Sequence, residues 1–152
     1  MNSENIRSNR KKYIKSAIVL LIVIALLLFC SYQNSHLETT YYSYKAEQLG
    51  AEFDGYRIVQ ISDLHNAKFG KNNQKLVDRI RECEPDIIVL TGDLVDSNHT
   101  NVDRAVQFVD EIVKICPVYY VTGNHEYWLE KSEYDELMDG LTGAGVVILD
   151  DQ

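Results

Sequence analysis

The sequence predicts an α/β protein of β-α-β-α-β-α-β order, preceded by one N-terminal transmembrane helix. Three observations predict it: a charge-free apolar run near the N-terminus, four short β-branched or aromatic runs, and helical patterns between those runs. Because strands and helices alternate, right-handed crossovers would make the strands parallel and pack the helices on a face of the sheet. A chain of 152 residues holds about one domain and can bury a core.

The first predicted element is the run from Ser16 to Ser35, which contains no charged residue and has its apolar core at Ala17 to Cys30. It directly follows residues 1–15, which hold five Lys or Arg and one acidic residue. This order is typical of an export signal or a membrane anchor. No small-x-small cleavage site follows the run, so residues 16–32 are interpreted as an uncleaved signal anchor rather than a cleaved signal. The basic flank, residues 1–15, would then be cytoplasmic and the rest of the chain extracytoplasmic, as in a single-pass protein of the cell membrane.

Charge and cysteine content exclude several classes of function. Residues 1–15 carry a net charge of +4, so the −8 of the whole chain leaves −12 for the remainder. An acidic body without a basic stripe lacks the surface that non-specific nucleic-acid binding requires, and an anionic substrate would need a bound cation. The three cysteines show no C-x-x-C spacing, which predicts buried single thiols instead of a disulfide framework or a thiolate zinc site: Cys30, Cys83 and Cys116.

The body is expected to begin after a polar, Tyr-rich linker with a lead-in strand over residues 33–55, and its domain is predicted over residues 56–152. Four strands are predicted: Tyr56–Ser62, Asp86–Thr91, Val118–Thr122 and Val146–Leu149. Helical spacing of 3.6 residues connects them in three sets: Leu76, Val77, Ile80 and Cys83; Val102, Ala105, Val106, Val109, Ile112 and Val113; Tyr134, Leu137, Met138 and Leu141. With helices on one face only, the other face of the sheet is expected to be bare.

The first three predicted strands end in similar polar sequences, ISDLHN, LTGDLVD and VTGNHE. Asp and Asn often cap helices, but the helical patterns here begin several residues later, at Asn72, Asn101 and Ser132. Since the carboxyl ends of parallel strands meet at one edge of a sheet, the three loops should bring a metal site together, with the glycines allowing close backbone approach. Its candidate residues are Asp63, His65, Asp93, Asn124 and His125.

Spacing and side-chain type suggest how these residues would share the cations. Asp63 and His65 are two apart, so in an extended backbone both would project to the same side and hold one ion. Asp93 offers two carboxylate oxygens, enough to bridge two ions, and Asn124 offers a neutral oxygen. Mixed nitrogen and oxygen ligands without thiolate favour Mn, Fe or Zn over a structural zinc cage.

Three blocks of the sequence resemble the calcineurin-like metallophosphoesterase family. They are D-x-H at Asp63–His65, G-D-x-x-D at Gly92–Asp96 and G-N-H-[DE] at Gly123–Glu126, and "SDLHN" and "VYYVTGNHE" look like its membrane-anchored or exported branch. The resemblance covers roughly residues 41–152 and implies half of an α/β/β/α sandwich. It also implies two divalent metal ions, one held by Asp63 and His65 and the second by Asn124, with Asp93 bridging both. It further implies that His125 contacts the phosphate and protonates the leaving group, with Asp96 orienting it.

Family members continue with a further His and a G-H-x-H block, which this sequence does not contain. The expectation is therefore a fragment, or a chain completed by a second polypeptide. Two hypotheses stay open: an anchored two-metal hydrolase of a phosphorylated small molecule or lipid, and an inactive membrane-tethered half-domain that binds metal weakly. His36 and His99 lie in no matching motif and are interpreted as solvated.

Overall fold

The computed structural model describes residues 3–149, and the chain forms two compact units, residues 1–39 and 40–152. Helix α1 of the first unit runs from Ser3 to Ser35. Its 21-residue stretch Arg10–Cys30 is long and apolar enough to cross a membrane, and at 1.5 Å per residue it spans about 31 Å. This stretch overlaps the predicted span of residues 16–32 and begins six residues before it.

The second unit contains a parallel sheet of four strands in the order β1-β2-β3-β4, which confirms the predicted α/β class. The strands are β1 Ile58–Ile61, β2 Ile87–Thr91, β3 Val118–Val121 and β4 Val147–Ile148, each at its predicted place and slightly shorter. The register pairs Ile61 with Leu90 and Thr91 with Val121. The carboxyl ends of the first three strands therefore meet at one edge of the sheet.

Four helices follow the strands: α2 Gln74–Glu82, α3 Val102–Ile112, α4 Asn124–Tyr127 and α5 Lys131–Ala144. Apolar positions predicted for α3 and α5 lie in the core, where Val109, Leu137 and Leu141 are fully buried. Phe108, which was not in the predicted set, is fully buried with them. Asn101 caps α3 by accepting the Arg104 N–H at 2.8 Å. The sequence did not predict α4, because four residues are too few for a helical period to be detected.

The two faces of the sheet have different surroundings. Ile88, Leu90, Val118 and Tyr120 are buried on the helix side. The alternate side chains are partly or largely exposed, and at the two edge strands Ile58 is 59% and Val147 45% exposed. Within the described residues, the expected bare face is therefore present.

The lead-in strand expected within residues 33–55 does not form in the described chain. Between α1 and β1 the structure has a 3₁₀ turn at Ala51–Phe53. The backbone N–H groups of this segment pair locally, since Leu49 donates to Ala46 at 3.2 Å and Phe53 to Gly50 at 3.1 Å. Turns of this kind use the donors that a strand would present to a neighbour.

The cysteines are single thiols, as predicted, but they are less buried than predicted. Cys30 is exposed, whereas Cys83 and Cys116 are half-buried. Cys83 caps the C-terminal end of α2 and Cys116 precedes Pro117 at the start of β3, and such element ends lie at the border of the core. Burial raises the pKa of the Cys116 thiol above its ordinary value, with a smaller contribution from the Asp86 charge.

Candidate metal centre

The candidate site is built from three loops that follow β1, β2 and β3, here called the first loop (residues 62–66), the second loop (92–97) and the third loop (122–125). Backbone bonds connect the first two in register: Asp63 N–H donates to the Gly92 carbonyl at 3.2 Å and His65 N–H to the Asp93 carbonyl at 2.9 Å. Asn66 N–H continues the series to the Leu94 carbonyl at 3.1 Å. The first loop is thus fixed against the second by the same kind of bonds that join the strands.

Two glycines bring the second and third loops into direct backbone contact. Gly92 has φ +87°, and a Cβ there would lie 2.6 Å from the Cα and N atoms of Gly123. A Cβ on Gly123 would in turn overlap the Asp93 carboxylate. Both positions require glycine for the close backbone approach that the sequence predicted.

The polar side chains of the three loops meet above this contact. His65 Nε2 lies 3.7 Å from Asp63 Oδ1 and 4.0 Å from Asp93 Oδ2. One ligand atom each of His65, Asp93 and His125 lie within 4.8 Å of one another, and the two imidazole rings meet edge to face at 4.4 Å. The structure therefore brings together four of the five residues predicted from the strand ends.

The backbone at these residues is not extended, which corrects the predicted geometry of Asp63 and His65. Their φ angles are 54° and 45°, and that of Asp93 is 52°. These three are among only seven non-glycine residues with positive φ in the described chain. Each such residue costs on the order of 1–3 kcal/mol, and this kind of strain clusters at functional sites. The turned backbone, and not a pleated one, directs Asp63 and His65 toward each other.

Asn124, the fifth of these residues, and Asp96, which the family resemblance added, have less direct positions. Asn124 is exposed and is the first residue of α4, between Gly123 and His125. Asp96 Oδ1 lies 3.7 Å from His125 Nδ1, beyond hydrogen-bond distance, and accepts the Asn98 N–H at 2.9 Å. That backbone bond is the main reason that the pKa of Asp96 is lowered, with smaller contributions from the Asn98 side chain and the His99 and His125 charges.

The His125 ring accepts a hydrogen bond from the backbone of Ser97, which the sequence did not indicate. Ser97 N–H donates to His125 Nδ1 at 3.1 Å, and the Ser97 hydroxyl lies 3.2 Å from the same atom. A backbone N–H is always a donor, so Nδ1 is the acceptor and the neutral ring carries its proton on Nε2. In this form the ring presents a hydrogen-bond donor on Nε2 and not a lone pair for a metal.

Two further side chains that support the site were also missed. Asn66 Oδ1 accepts the N–H groups of Asp96 at 3.2 Å and Asn101 at 3.1 Å. Glu126 is fully buried and accepts the Gly123 N–H at 2.7 Å. An indication of Glu126 was present in the sequence, because an acid three residues after a strand-end Gly has the spacing of a capping box.

The charges of the cluster fit a cation. Asp63 is 64% exposed and Asp93 12%, and among the described residues their carboxylates form ion pairs with no Lys or Arg, only with His65. Carboxylate and imidazole groups placed together without a basic neighbour are a donor set suited to a divalent ion such as Mn, Fe or Zn. The metal-site interpretation of the sequence therefore agrees with the chemistry of the residues present.

The structure has a parallel α/β sheet, and the loops at the ends of its strands bring carboxylate and imidazole groups together. This combination is typical of metal-binding α/β proteins. The family model described as calcineurin-like phosphoesterase matches residues 56–149, and the chain belongs to this family of metal-dependent hydrolases. The four-stranded unit is consistent with a partial metallophosphoesterase fold.

Individual relatives agree with this assignment. The chain is 35% identical over 124 residues to an "Uncharacterized metallophosphoesterase" of Aquifex aeolicus, covering 76% of this chain and 45% of the relative. It is 32% identical over 84 residues to a "Transmembrane protein with metallophosphoesterase domain" of Danio rerio, which covers 54% of this chain and 19% of the relative. It is 35% identical over 75 residues to "Uncharacterized metallophosphoesterase YkuE" of Bacillus subtilis, which covers 47% of this chain and 26% of the relative. The chain therefore spans less than half the length of each of these relatives.

Proposed function

We propose that the three loops form a two-metal site that hydrolyses a phosphate ester. The observation that carries the proposal is the meeting of three proposed ligands at the edge where parallel strands end, with His65 Nε2 3.7 Å from Asp63 Oδ1 and 4.0 Å from Asp93 Oδ2. The family supports metal-dependent phosphoester hydrolysis as the reaction.

The proposed ligands are divided between two divalent cations, Mn, Fe or Zn. Asp63 and His65 would hold one ion, Asn124 the second, and Asp93 both. The positions of Asp93 support this role, because Oδ2 faces His65 while Oδ1 accepts the His125 N–H at 2.9 Å, which links the acid to the third loop. When bound, such ions supply polarisation of the phosphoryl group and lower the pKa of a water.

His125 is proposed to act on the leaving group. The Ser97 N–H bond to Nδ1 leaves the proton of the neutral ring on Nε2, from which the ring can donate a hydrogen bond to a phosphoryl oxygen. To protonate the leaving group, the ring must first take up a second proton on Nδ1 and then return from imidazolium to neutral imidazole as the Nε2 proton is transferred. Asp96, 3.7 Å from the same ring, would orient the imidazole and offset positive charge that develops on it.

The site is proposed to lie outside the cytoplasm on a single-pass protein of the cell membrane. The candidate span Arg10–Cys30 and the relatives named as transmembrane proteins support a membrane location, and the basic residues before the span support a cytoplasmic N-terminus. The substrate would be a phosphorylated small molecule or lipid, as a phosphomonoester, phosphodiester or lipid-linked phosphate. The acidic body of net charge −12 argues against nucleic acid.

One observation favours a second candidate, a tethered half-domain that binds metal without catalysis. Among the described residues, the second cation would have only Asp93 and Asn124 as protein ligands, fewer than the four to six that such ions take. That ion would then be weakly held. The two candidates differ in whether bound metal is accompanied by turnover.

The test uses the full chain in mild detergent, with Mn²⁺ binding measured by calorimetry and turnover measured with p-nitrophenyl phosphate and its diester. We expect turnover to be abolished by a chelator and restored by Mn²⁺. Asp93→Asn should lower Mn²⁺ affinity by more than about 100-fold, because substitutions outside the ligand shell already cost 10–100-fold. His125→Ala should retain Mn²⁺ affinity and lose about 10²–10⁴ in turnover.

His36→Ala is the matched control, since His36 is exposed and belongs to the first unit, outside the three loops. It should change neither binding nor turnover. An equal loss of Mn²⁺ affinity in the His125 and Asp93 variants would show that His125 is a metal ligand. Bound Mn²⁺ without chelator-sensitive turnover of either ester would favour the non-catalytic half-domain.

A further inference from the structure

A fully buried carboxylate lies beneath the candidate site and is not one of its proposed ligands. Glu126 has no exposed surface, and both of its carboxylate oxygens accept backbone N–H groups. Oε1 accepts from Leu94 at 2.8 Å and Val95 at 3.2 Å, and Oε2 accepts from Asp93 at 2.8 Å and Gly123 at 2.7 Å. Four donors satisfy the lone pairs of the carboxylate, as burial of such a group requires.

These bonds are made to the loops that carry the proposed site. Three donors, on successive residues 93–95, belong to the second loop, and the arrangement is that of a backbone nest around an anion. The fourth donor is Gly123, next to the proposed ligand Asn124 in the third loop. Glu126 therefore fixes the second loop against the third from inside the protein.

The connection is reciprocal. Glu126 binds the backbone of Asp93, while the Asp93 carboxylate accepts the backbone N–H of His125 at 2.9 Å. Asp93 has a φ of 52° and follows Gly92 at +87°, so this segment of the second loop adopts a left-handed conformation that needs support from its surroundings. The carboxylate of Glu126 supplies that support through the N–H groups of the turn itself.

We propose that Glu126 is a positioning residue, which holds the Asp93 carboxylate and the His125 imidazole in the relative arrangement that metal binding and turnover need. It acts through the backbone and touches neither metal nor substrate. The inference rests on the proposed function and adds to it a residue without which Asp93 would lose its orientation.

The experiment compares the full-length parent with Glu126→Gln in mild detergent. Gln has the same shape but places an NH₂ group against N–H donors, so two of the four bonds are lost, because each carboxylate oxygen accepts two. We expect the Mn²⁺ dissociation constant to rise about 10–100-fold, as for other groups that orient ligands from outside the metal shell. Amide hydrogen exchange should accelerate in residues 92–97 and 122–126 and remain unchanged in α5.

Two further variants complete the design. Glu126→Asp keeps the charge on a shorter stem and should recover part of the lost Mn²⁺ affinity. Glu130→Gln removes a similar charge four residues away. Glu130 is exposed and its side chain makes no capping hydrogen bond to α5, so this variant should behave as the parent. Affinities are measured well below the unfolding transition, so that a loss of global stability alone would not change them.

Parent-like Mn²⁺ affinity in folded Glu126→Gln would overturn the positioning role, even if exchange accelerates. Unchanged exchange in the two loops would overturn it as well. If Glu126→Gln does not fold, Glu126→Asp decides, because parent-like affinity in that variant contradicts the proposal. If the parent binds no Mn²⁺, the proposed function fails, and the exchange data then decide by themselves whether Glu126 holds the two loops together.

Discussion

Replacement of Gly92 by Ala should destabilise the globular unit more than the same replacement at any other described glycine with positive φ. At φ +87° an alanine costs roughly 1–2 kcal/mol in backbone strain. Its Cβ would also lie 2.6 Å from two backbone atoms of Gly123, and moving the third loop away should add roughly 1–3 kcal/mol. The expected loss of roughly 2–5 kcal/mol is a large part of the 5–15 kcal/mol that stabilises a typical domain.

Gly145 provides the matched control for backbone strain. Its φ is +93°, but a Cβ there meets no atom within 4 Å, so Gly145→Ala should cost only the roughly 1–2 kcal/mol of strain. Gly143 lies in α5, its φ is not positive, and a Cβ there would meet no atom within 4 Å. Gly143→Ala should therefore stabilise the folded unit by up to about 1 kcal/mol. The difference between the Gly92 and Gly145 variants isolates the contact with the third loop.

The assay is urea unfolding followed by the fluorescence of Trp128, the single tryptophan of the sequence. Trp128 lies in the second unit beside His125, with ring centroids 5.0 Å apart, so its signal reports this unit and not α1. Midpoints are converted to free energies of unfolding with a shared slope. Equal free energies for the Gly92 and Gly145 variants would refute the argument that the loops touch at Gly92.

Two predictions concern groups whose pKa is shifted. The pKa of Asp96 is lowered from its ordinary value of 3.8, so this carboxylate contributes stability that is present above that pH and is lost as pH falls through the folded pKa. Asp96→Asn should therefore be less stable than the parent at pH 7, with the difference narrowing below about pH 4; a pH-independent difference would contradict this. Because burial raises the pKa of Cys116, its alkylation by iodoacetamide should rise with pH at a higher midpoint than that of free cysteine, and an equal midpoint would contradict that cause.

The strands and the longer helices could be predicted because their periods extend over enough residues to be read from the sequence. The 3.6-residue pattern of α3 and the β-branched runs of β2 and β3 are examples. The one-turn helix α4 is too short to show a period, and the linker before β1 carries strand-forming Tyr residues that pair with no neighbour in the described chain.

The candidate site shows a similar division. The convergence of Asp63, His65, Asp93 and His125 could be predicted, because parallel strands in register must end at one edge. The left-handed turns could not, since Asp and His adopt positive φ only when surrounding bonds favour it. The bond from Ser97 to His125 could not be predicted either, because its donor is a backbone group that every residue except proline possesses.

The strain at the site and the bonds beneath it are connected. Left-handed turns at Asp63, His65 and Asp93 together cost on the order of several kcal/mol, comparable to the net stability of a small domain. The backbone bonds between the first two loops and the four bonds to Glu126 hold these turns in place. If those bonds weaken, the turns can relax to ordinary backbone while the strands stay paired, because the pairing of β1 with β2 and of β2 with β3 uses other backbone groups. Substitutions at Gly92 or Glu126 should therefore reduce metal affinity at temperatures where the sheet and helices are still folded.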